Sequence, residues 1–263
     1  MGITMSPRDY ATAFHLLSTT SRHTDNIARV VQERILPRLP ERPSLLDVGA
    51  GPGRLAQLLS PWFSSLTLLE PNREQIATLE LDGARILHET LESYHSSERY
   101  EVVLCSHVLY HVPVAEWGGF IDRLLSFVRP GGYCVIALAA ARGQSHQLHS
   151  DFKASGISSS KIIQELREKR LPHEVVAKMN GYSATSFEEM YTLCRFLVLE
   201  NCFTAEELAA MSEDEVRQLD DRIRMHAERY READGVYRLE QQEDVIIIPV
   251  APAPERVALS RGV

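Results

Sequence analysis

The sequence predicts an α/β fold built on a mostly parallel sheet, and three observations carry that expectation. Short Val-, Ile- and Leu-rich runs alternate with amphipathic stretches through the middle of the chain. Runs apolar at consecutive positions suit strands buried on both faces, as in a parallel sheet covered by helices. A glycine-rich turn joins the first of these runs to the helix behind it. With 44% hydrophobic and 24% charged residues in 263, the chain can bury a sizeable core.

The elements follow in order. In PRDYATAFHLLSTT, residues 7–20, Tyr10, Phe14 and Leu17 fall on one helical face. TSRHTDNIARVVQERILPRL reads as a helix carrying Ile27, Val30, Val31 and Ile35, stopped by the Pro-rich stretch Pro37 to Pro43. SLLDVGAGPGRLAQLLS is a strand, a glycine loop and a helix; LTLLEPN is a second strand, followed by the helix REQIATLELDG. ARILHETLESY gives a third strand ending near His88, and YEVVLCSHVLYHV contains a fourth, backed by the helix EWGGFIDRLLSFV. RPGG is a turn and YCVIALAA a fifth strand, with right-handed crossovers expected throughout.

Beyond Ala141 the pattern changes. A polar stretch precedes the helix KIIQELREKR, and HEVVAKMNGYSA reads as a strand. SFEEMYTLCRFLVLE and TAEELAAMSEDEVRQLDDRIRMHAERYRE read as two helices, the second opened by a Thr204 cap with a carboxylate three residues on. Val245 to Val250 forms the last strand.

Composition narrows function. The 28 Lys and Arg against 36 Asp and Glu give a formal charge of −8, so the chain has no general electrostatic reason to bind nucleic acid. No apolar run approaches the roughly 18 residues of a membrane helix, and the N-terminus lacks a secretory signal pattern, so cytoplasmic residence without membrane association is expected. Cys105, Cys134, Cys194 and Cys202 form no CxxC pair and read as buried reduced thiols. His107 and His111 are four apart but lie outside any HExxH pattern, so no metal site is expected.

Chemistry concentrates at LLDVGAGPGRL. Gly49, Gly51 and Gly53 allow a tight turn and close approach of a ligand to the backbone, and the next helix adds unpaired N–H groups. Glu70 ends the second strand 17 residues after Gly53, near the place where a carboxylate takes the hydroxyls of a nucleoside ribose. NAD, FAD and S-adenosylmethionine all fit that geometry. Asp47, just before the loop, suits the ammonium group of an amino-acid-like ligand.

LLDVGAGPGRL, LLEPN and VRPGGY, in this order, resemble the motifs of class I S-adenosylmethionine-dependent methyltransferases. YATAFHLLSTTSRHT, EPNREQIA, HETLESY, VLYHV and the helical block before the last strand are similar to histamine N-methyltransferase and its small-molecule relatives. The resemblance implies a Rossmann-like seven-stranded, mostly parallel sheet with helices on both faces. It divides one methyltransferase domain, 1–255, into an N-terminal helical lid (1–40), a core (44–183), a helical insertion (184–234) and a final strand region (236–250), with a tail at 251–263.

The same resemblance implies site roles. Asp47, Gly49 and Gly51 hold the methionine part of S-adenosylmethionine, Glu70 binds the ribose, and Gln75 lies beside ribose or adenine. Thr90 and Leu91 bracket the adenine edge, while Ser106 and His107 face the methyl group. Tyr10, Phe14, Tyr110 and His111 line the acceptor pocket, His111 being the first candidate base and Tyr110 a positioning group. Arg22 falls where the relatives carry an acidic residue, which favours an acceptor bearing an anionic group over histamine. Gln241, in a register uncertain by one or two residues and shared with Glu240, falls where the relatives place a substrate-binding amide.

The expected reaction is in-line transfer of a methyl group to a nitrogen of a small metabolite. Two other readings stay open: a cyclase consuming S-adenosylmethionine with release of methylthioadenosine, and a non-catalytic binder. The sequence leaves monomer and homodimer undecided.

Overall fold

In the computed structural model, which describes residues 5–76, 81–153 and 158–252, apolar strand residues and helix faces assemble into an α/β fold around a seven-stranded mixed sheet. The helices are α1 (Pro7–Thr20), α2 (His23–Val30), α3 (Arg54–Leu59), α4 (Arg73–Ile76), α5 (Trp117–Ser126), α6 (Gln144–Phe152), α7 (Ser159–Glu168), α8 (Phe187–Cys202), α9 (Ala205–Ala210) and α10 (Glu213–Arg229). The strands are β1 (Ser44–Val48), β2 (Ser65–Leu69), β3 (Ala84–Leu87), β4 (Tyr100–Ser106), β5 (Val128–Ala139), β6 (Glu174–Ala184) and β7 (Tyr237–Pro249), ordered β3-β2-β1-β4-β5-β7-β6. β1 to β5 pair in parallel. β7 runs against β5, as the bonds Gly131 N–H to Val250 O (3.0 Å) and Ala140 N–H to Gln242 O (2.8 Å) require.

The chain packs as two compact units. One comprises residues 28–137, 165–176 and 245–263, the other 1–27, 138–164 and 177–244. The first, here the glycine-loop unit, buries Leu45, Leu46 and Val48 of β1, Leu66, Leu68 and Leu69 of β2 and Val102 to Cys105 of β4. Those runs are apolar on both faces because helices lie on both. The order reverses at β1, whose neighbours are β2 and β4, and the carboxyl ends of strands at such a switch point are where α/β sheets take their ligands.

The second, the helical unit, has its own core around α8. Met190, Leu193, Cys194, Leu197 and Val198 pack with Ala13 of α1, Leu148 of α6, and Leu219, Ile223 and Ala227 of α10.

Several elements differ from expectation for physical reasons. RPGG lies within β5, where the pairing of β4 with β5 shifts register between Tyr100 and Val102, so the glycines make an irregularity in a strand. The helix expected over 204–232 is two, because Ser212 caps α10 in a reciprocal box with Glu215 after α9 has ended. The second N-terminal helix changes to a π turn at Val31–Ile35 and a 3-10 turn at Leu36–Arg38 before the prolines. β7 begins at Tyr237, eight residues before the expected start. The helix expected after β2 is described over Arg73–Ile76, and residues 77–80 lie outside the described residues.

Candidate functional site: the strand ends of the glycine-loop unit

The loop after β1 is tied to β2. The N–H groups of Gly49 and Ala50 both donate to Leu69 O, at 2.8 and 3.0 Å, and Gly53 N–H donates to Ala50 O at 2.9 Å. Gly49 has φ +72°, and a Cβ there would run into Val108 Cγ2, so no larger residue fits unless the Val108 side chain shifts. Gly51 has φ +54°, and nothing lies within 4 Å of its missing Cβ, which leaves open space beside the loop for a ligand.

Glu70 follows β2 and is 8% exposed. Its Oε2 accepts from Gly51 N–H at 2.9 Å and its Oε1 from Asn72 N–H at 2.8 Å. Asn72 in turn accepts from Glu74 N–H through Oδ1 at 3.0 Å and from Gln75 N–H through its carbonyl at 3.2 Å, which fixes the half-buried Gln75 at the start of the segment after β2. A carboxylate has about four acceptor positions, so Glu70 keeps capacity for ribose hydroxyls.

Asp47, in β1, is 3% exposed, and among the described residues no hydrogen-bond donor reaches its carboxyl group. Burial first, and the neighbouring Glu70 carboxylate second, push it up to about 7. A buried carboxyl without a donor, next to open space at Gly51, matches a ligand that brings its own cationic donor. The amino-acid part of S-adenosylmethionine is such a group, so the residues present fit this cofactor.

β4 ends beside β1. Ser106 pairs with Ala137, and His107 N–H continues the ladder to Ala137 O at 2.9 Å while its φ turns to +57°. A left-handed histidine is uncommon and turns the chain sharply away from the strand. The 3-10 turn Leu109–His111 follows, anchored by the buried Leu109. The His107 and Tyr110 rings are near-parallel with centroids 5.9 Å apart, and His111 is exposed. Thr90 N–H donates to Ser93 Oγ at 3.0 Å, Leu91 is buried, and the Leu91 carbonyl accepts from Arg123 Nε at 2.6 Å. The same guanidinium reaches the carbonyls of Glu92 (3.1 Å) and Tyr94 (2.7 Å), so Arg123 shapes the 90–94 loop.

Asp47, Gly49, Gly51, Glu70, Gln75, Thr90, Leu91, Ser106, His107, Tyr110 and His111 all belong to the glycine-loop unit, and Tyr10, Phe14, Arg22 and Gln241 to the helical unit. Tyr10 is 43% exposed and meets Phe196 edge-on with centroids 5.2 Å apart, and Phe14 packs on the α8 core. Arg22 donates its backbone N–H to Asn180 Oδ1 at 2.7 Å and has an exposed side chain. Gln241 is buried and accepts from the Tyr182 hydroxyl.

Sequence reasoning missed Val108, Asn72, Arg123, Asn180 and Glu243. Of these only Asn72 carried a local signal, an Asn after Pro just before a helix. The other four matter through partners distant in sequence. Among the described residues, no group of three His, Cys, Asp or Glu is placed to hold a metal ion, and no helix is long and apolar enough to cross a membrane.

An α/β sheet with a glycine loop after β1 and an acidic residue after β2, at its switch point, is the arrangement of nucleotide-cofactor-binding proteins. Residues 20–193 match the methyltransferase domain family, so the chain belongs to that family. Its cofactor is S-adenosylmethionine. Over 99 residues it is 30% identical to a ubiquinone biosynthesis O-methyltransferase of Rickettsia canadensis, covering 35% of this chain and 41% of that protein. The chain therefore spans about four-tenths of the length of that curated relative. Two solved structures share the fold. A cyclopropane-fatty-acyl-phospholipid synthase-like protein of Lactobacillus casei has TM-score 0.56 at 11% identity, covering 86% of this chain and 90% of that one. The plantazolicin methyltransferase BpumL, solved with a triazolic desmethylPZN analogue and SAH, has TM-score 0.52 at 14% identity, covering 93% and 92%.

Proposed function

We propose that this methyltransferase transfers its methyl group to a nitrogen of a small metabolite carrying an anionic group. The observation that carries the site assignment is the donorless, buried Asp47 carboxyl beside the open face of Gly51. Asp47 takes the ammonium of the cofactor's amino-acid part, the Gly49–Gly51 backbone borders that part, and Glu70 takes the ribose hydroxyls while holding Gly51. Gln75, Thr90 and Leu91 border ribose and adenine, and Ser106 and His107 face the methyl end. Bound S-adenosylmethionine supplies a methyl group activated by its sulfonium.

The remaining work is alignment of the nucleophile, which can be worth about 7–11 kcal/mol. A neutral nitrogen attacks without help, whereas a hydroxyl wants a base within hydrogen-bond reach. The exposed position of His111 favours the first and suits a shaping role for His111 and Tyr110. In the helical unit we assign acceptor recognition to Tyr10, Phe14 and the exposed Arg22 guanidinium; Gln241, buried and bonded to the Tyr182 hydroxyl, is left to the packing of β6 and β7. The four buried thiols accord with a reducing, cytoplasmic setting.

The relationship to ubiquinone biosynthesis O-methyltransferases favours a second reading, methylation of an aromatic hydroxyl with His107 or His111 as base. Incubation with labelled S-adenosylmethionine and panels of anionic amines and phenols separates the two. Formation of S-adenosylhomocysteine with an N-methyl product supports the first reading. An O-methyl product replaces it with the second, and methylthioadenosine as the sole product overturns both. Arg22→Glu is expected to lower turnover of anionic acceptors at least tenfold through KM, and an unchanged KM removes Arg22 from the assignment.

A further inference from the structure

We propose that the outer edge of β6 pairs with the same edge of a second copy of this chain, strand against antiparallel strand, about a twofold axis at Val176. The pairing is independent of how the cofactor and the acceptor are held.

β6 ends the sheet, with β7 on one side and, among the described residues, no strand on the other. Main-chain groups of successive strand residues point to opposite edges, so residues an even number apart share an edge. Two contacts show which residues face outward. The Met179 carbonyl accepts from Asn26 Nδ2 at 3.1 Å, and Ser183 N–H donates to Thr20 Oγ1 at 3.2 Å, both partners lying outside the sheet. Side chains of α1 and α2 thus take part of the outer edge from Met179 onward. Val175 and Ala177 face the same way, and among the described residues nothing takes their outward N–H and C=O groups. An edge left open in this way is a template for another strand.

The side chains favour a second copy over an unrelated strand. Val175, Ala177 and Met179 lie on one face of β6 and are all exposed, Val175 by 39% and Met179 by 55%. No charge interrupts this apolar stripe, which is the usual protection of an edge strand. On the other face, Glu174 and Lys178 stand two residues either side of Val176. Laid antiparallel on itself about Val176, the strand sets Val175 opposite Ala177 and Glu174 opposite Lys178, each pair occurring twice. Each Val175–Ala177 pair exchanges both of its main-chain bonds, so every outward group of these two residues finds a partner. The Glu174–Lys178 pairs set opposite charges across from one another. Within the described chain Lys178 has no ion-pair partner, whereas Glu174 meets Arg34 at 3.4 Å and Arg38 at 3.9 Å. Charges this exposed fix register more than they add affinity. Moving the axis to Val175 or to Ala177 sets Glu174 against Val176 or Asn180 and loses both charge pairs. One strand pair buries less than a standard interface, so the dimer is weak, with a Kd on the order of 10–100 µM.

Sedimentation equilibrium of the full chain from about 1 to about 300 µM tests the pairing, and a reversible monomer–dimer equilibrium is expected. A mass that stays monomeric throughout overturns it. The double variant Val175→Lys with Ala177→Lys sets like charges opposite one another and should raise Kd at least about tenfold, with its melting temperature little changed because both sites are exposed. A dimer of unchanged strength in that variant overturns the edge pairing. Disulfide trapping reads the register. Val176→Cys, at the axis, should cross-link under mild oxidation and Met179→Cys, well away from it, should not, while the four buried native thiols should stay silent. Cross-linking at Met179→Cys in place of Val176→Cys overturns the proposed axis. Should Val176→Cys not fold, Lys178→Glu, which sets a carboxylate opposite Glu174, should weaken the dimer several-fold, and unchanged strength overturns the register.

Discussion

The strand ends of the glycine-loop unit and the β6–β7 face of the helical unit both bury polar side chains, and they treat them in opposite ways. On β6 and β7 the polar groups are matched within the protein. Asn180 receives the Arg22 N–H (2.7 Å) and donates to Ser21 Oγ (3.0 Å), Tyr182 meets Gln241, and Asn26 Nδ2 donates to the fully buried Glu243 at 3.1 Å. Asp244, on the other face of β7, is held by Arg142 and by Ser159 at 2.6 Å. At the strand ends, Asp47 is buried without a donor and Gly51 faces open space. Matched polar groups hold a fold in one arrangement, whereas at Asp47 the missing donor is one that a ligand can bring.

The sharpest way to break this contrast is in the matched region. Arg142→Ala leaves the buried Asp244 carboxylate without its ion-pair partner and should cost about 3–5 kcal/mol of stability, read by denaturant unfolding with cofactor absent. A loss under about 1 kcal/mol would mean that the network is surface decoration. Next is Gly49→Ala, which combines a left-handed backbone with the close approach of Val108. The expected loss is about 2–4 kcal/mol. In a Val108→Ala background the steric part should fall away, and a purely additive double-mutant cycle would contradict that contact.

A smaller effect is expected at Asn180→Leu, which strips the Arg22 N–H and Ser21 hydroxyl of their partner and should cost about 1–3 kcal/mol. The last prediction concerns pH. Because the carboxyl of Asp47 is raised in the folded state, the folded chain holds more protons than the unfolded one between about pH 4 and pH 7. Its contribution to the stability of the free protein is therefore most favourable below that window, is lost as pH rises through it and is flat above. Melting curves of Asp47→Asn should lack this component, and an unchanged pH dependence would argue against it.

Much of the strand-end site was legible in the sequence because a parallel strand, a glycine turn and an acidic residue after the next strand are all local patterns. Asp47, Gly49, Gly51 and Glu70 could be named from one short run and its spacing. What could not be read was their state. That Glu70 clamps Gly51 and Asn72, and that Val108 presses on Gly49, depends on contacts across 19 and 59 positions. The left-handed turn at His107 is imposed by its surroundings, since nothing in the residue type announces it. The parallel pairing of β1 to β5 was readable in outline from the alternation of elements, whereas the strand order was not. The Ser212 break between α9 and α10 was not, because a continuous run of charged helix formers masks an N-cap. In the helical unit, apolar periodicity announced α1 and α8, but the Asn180 and Glu243 partnerships join segments more than 150 residues apart.

The most direct test of the central claim compares S-adenosylhomocysteine affinity, by titration calorimetry near pH 7, for Asp47→Asn and Asn180→Leu. Loss of a charge-assisted contact at Asp47 should weaken binding by about 10–100-fold, corresponding to roughly 1.5–3 kcal/mol. Asn180→Leu should lower stability and leave affinity within about twofold of the unaltered chain, as expected for a substitution that touches no ligand contact. Equal affinities for Asp47→Asn and the unaltered chain would contradict the assignment of the strand-end carboxyl to the cofactor.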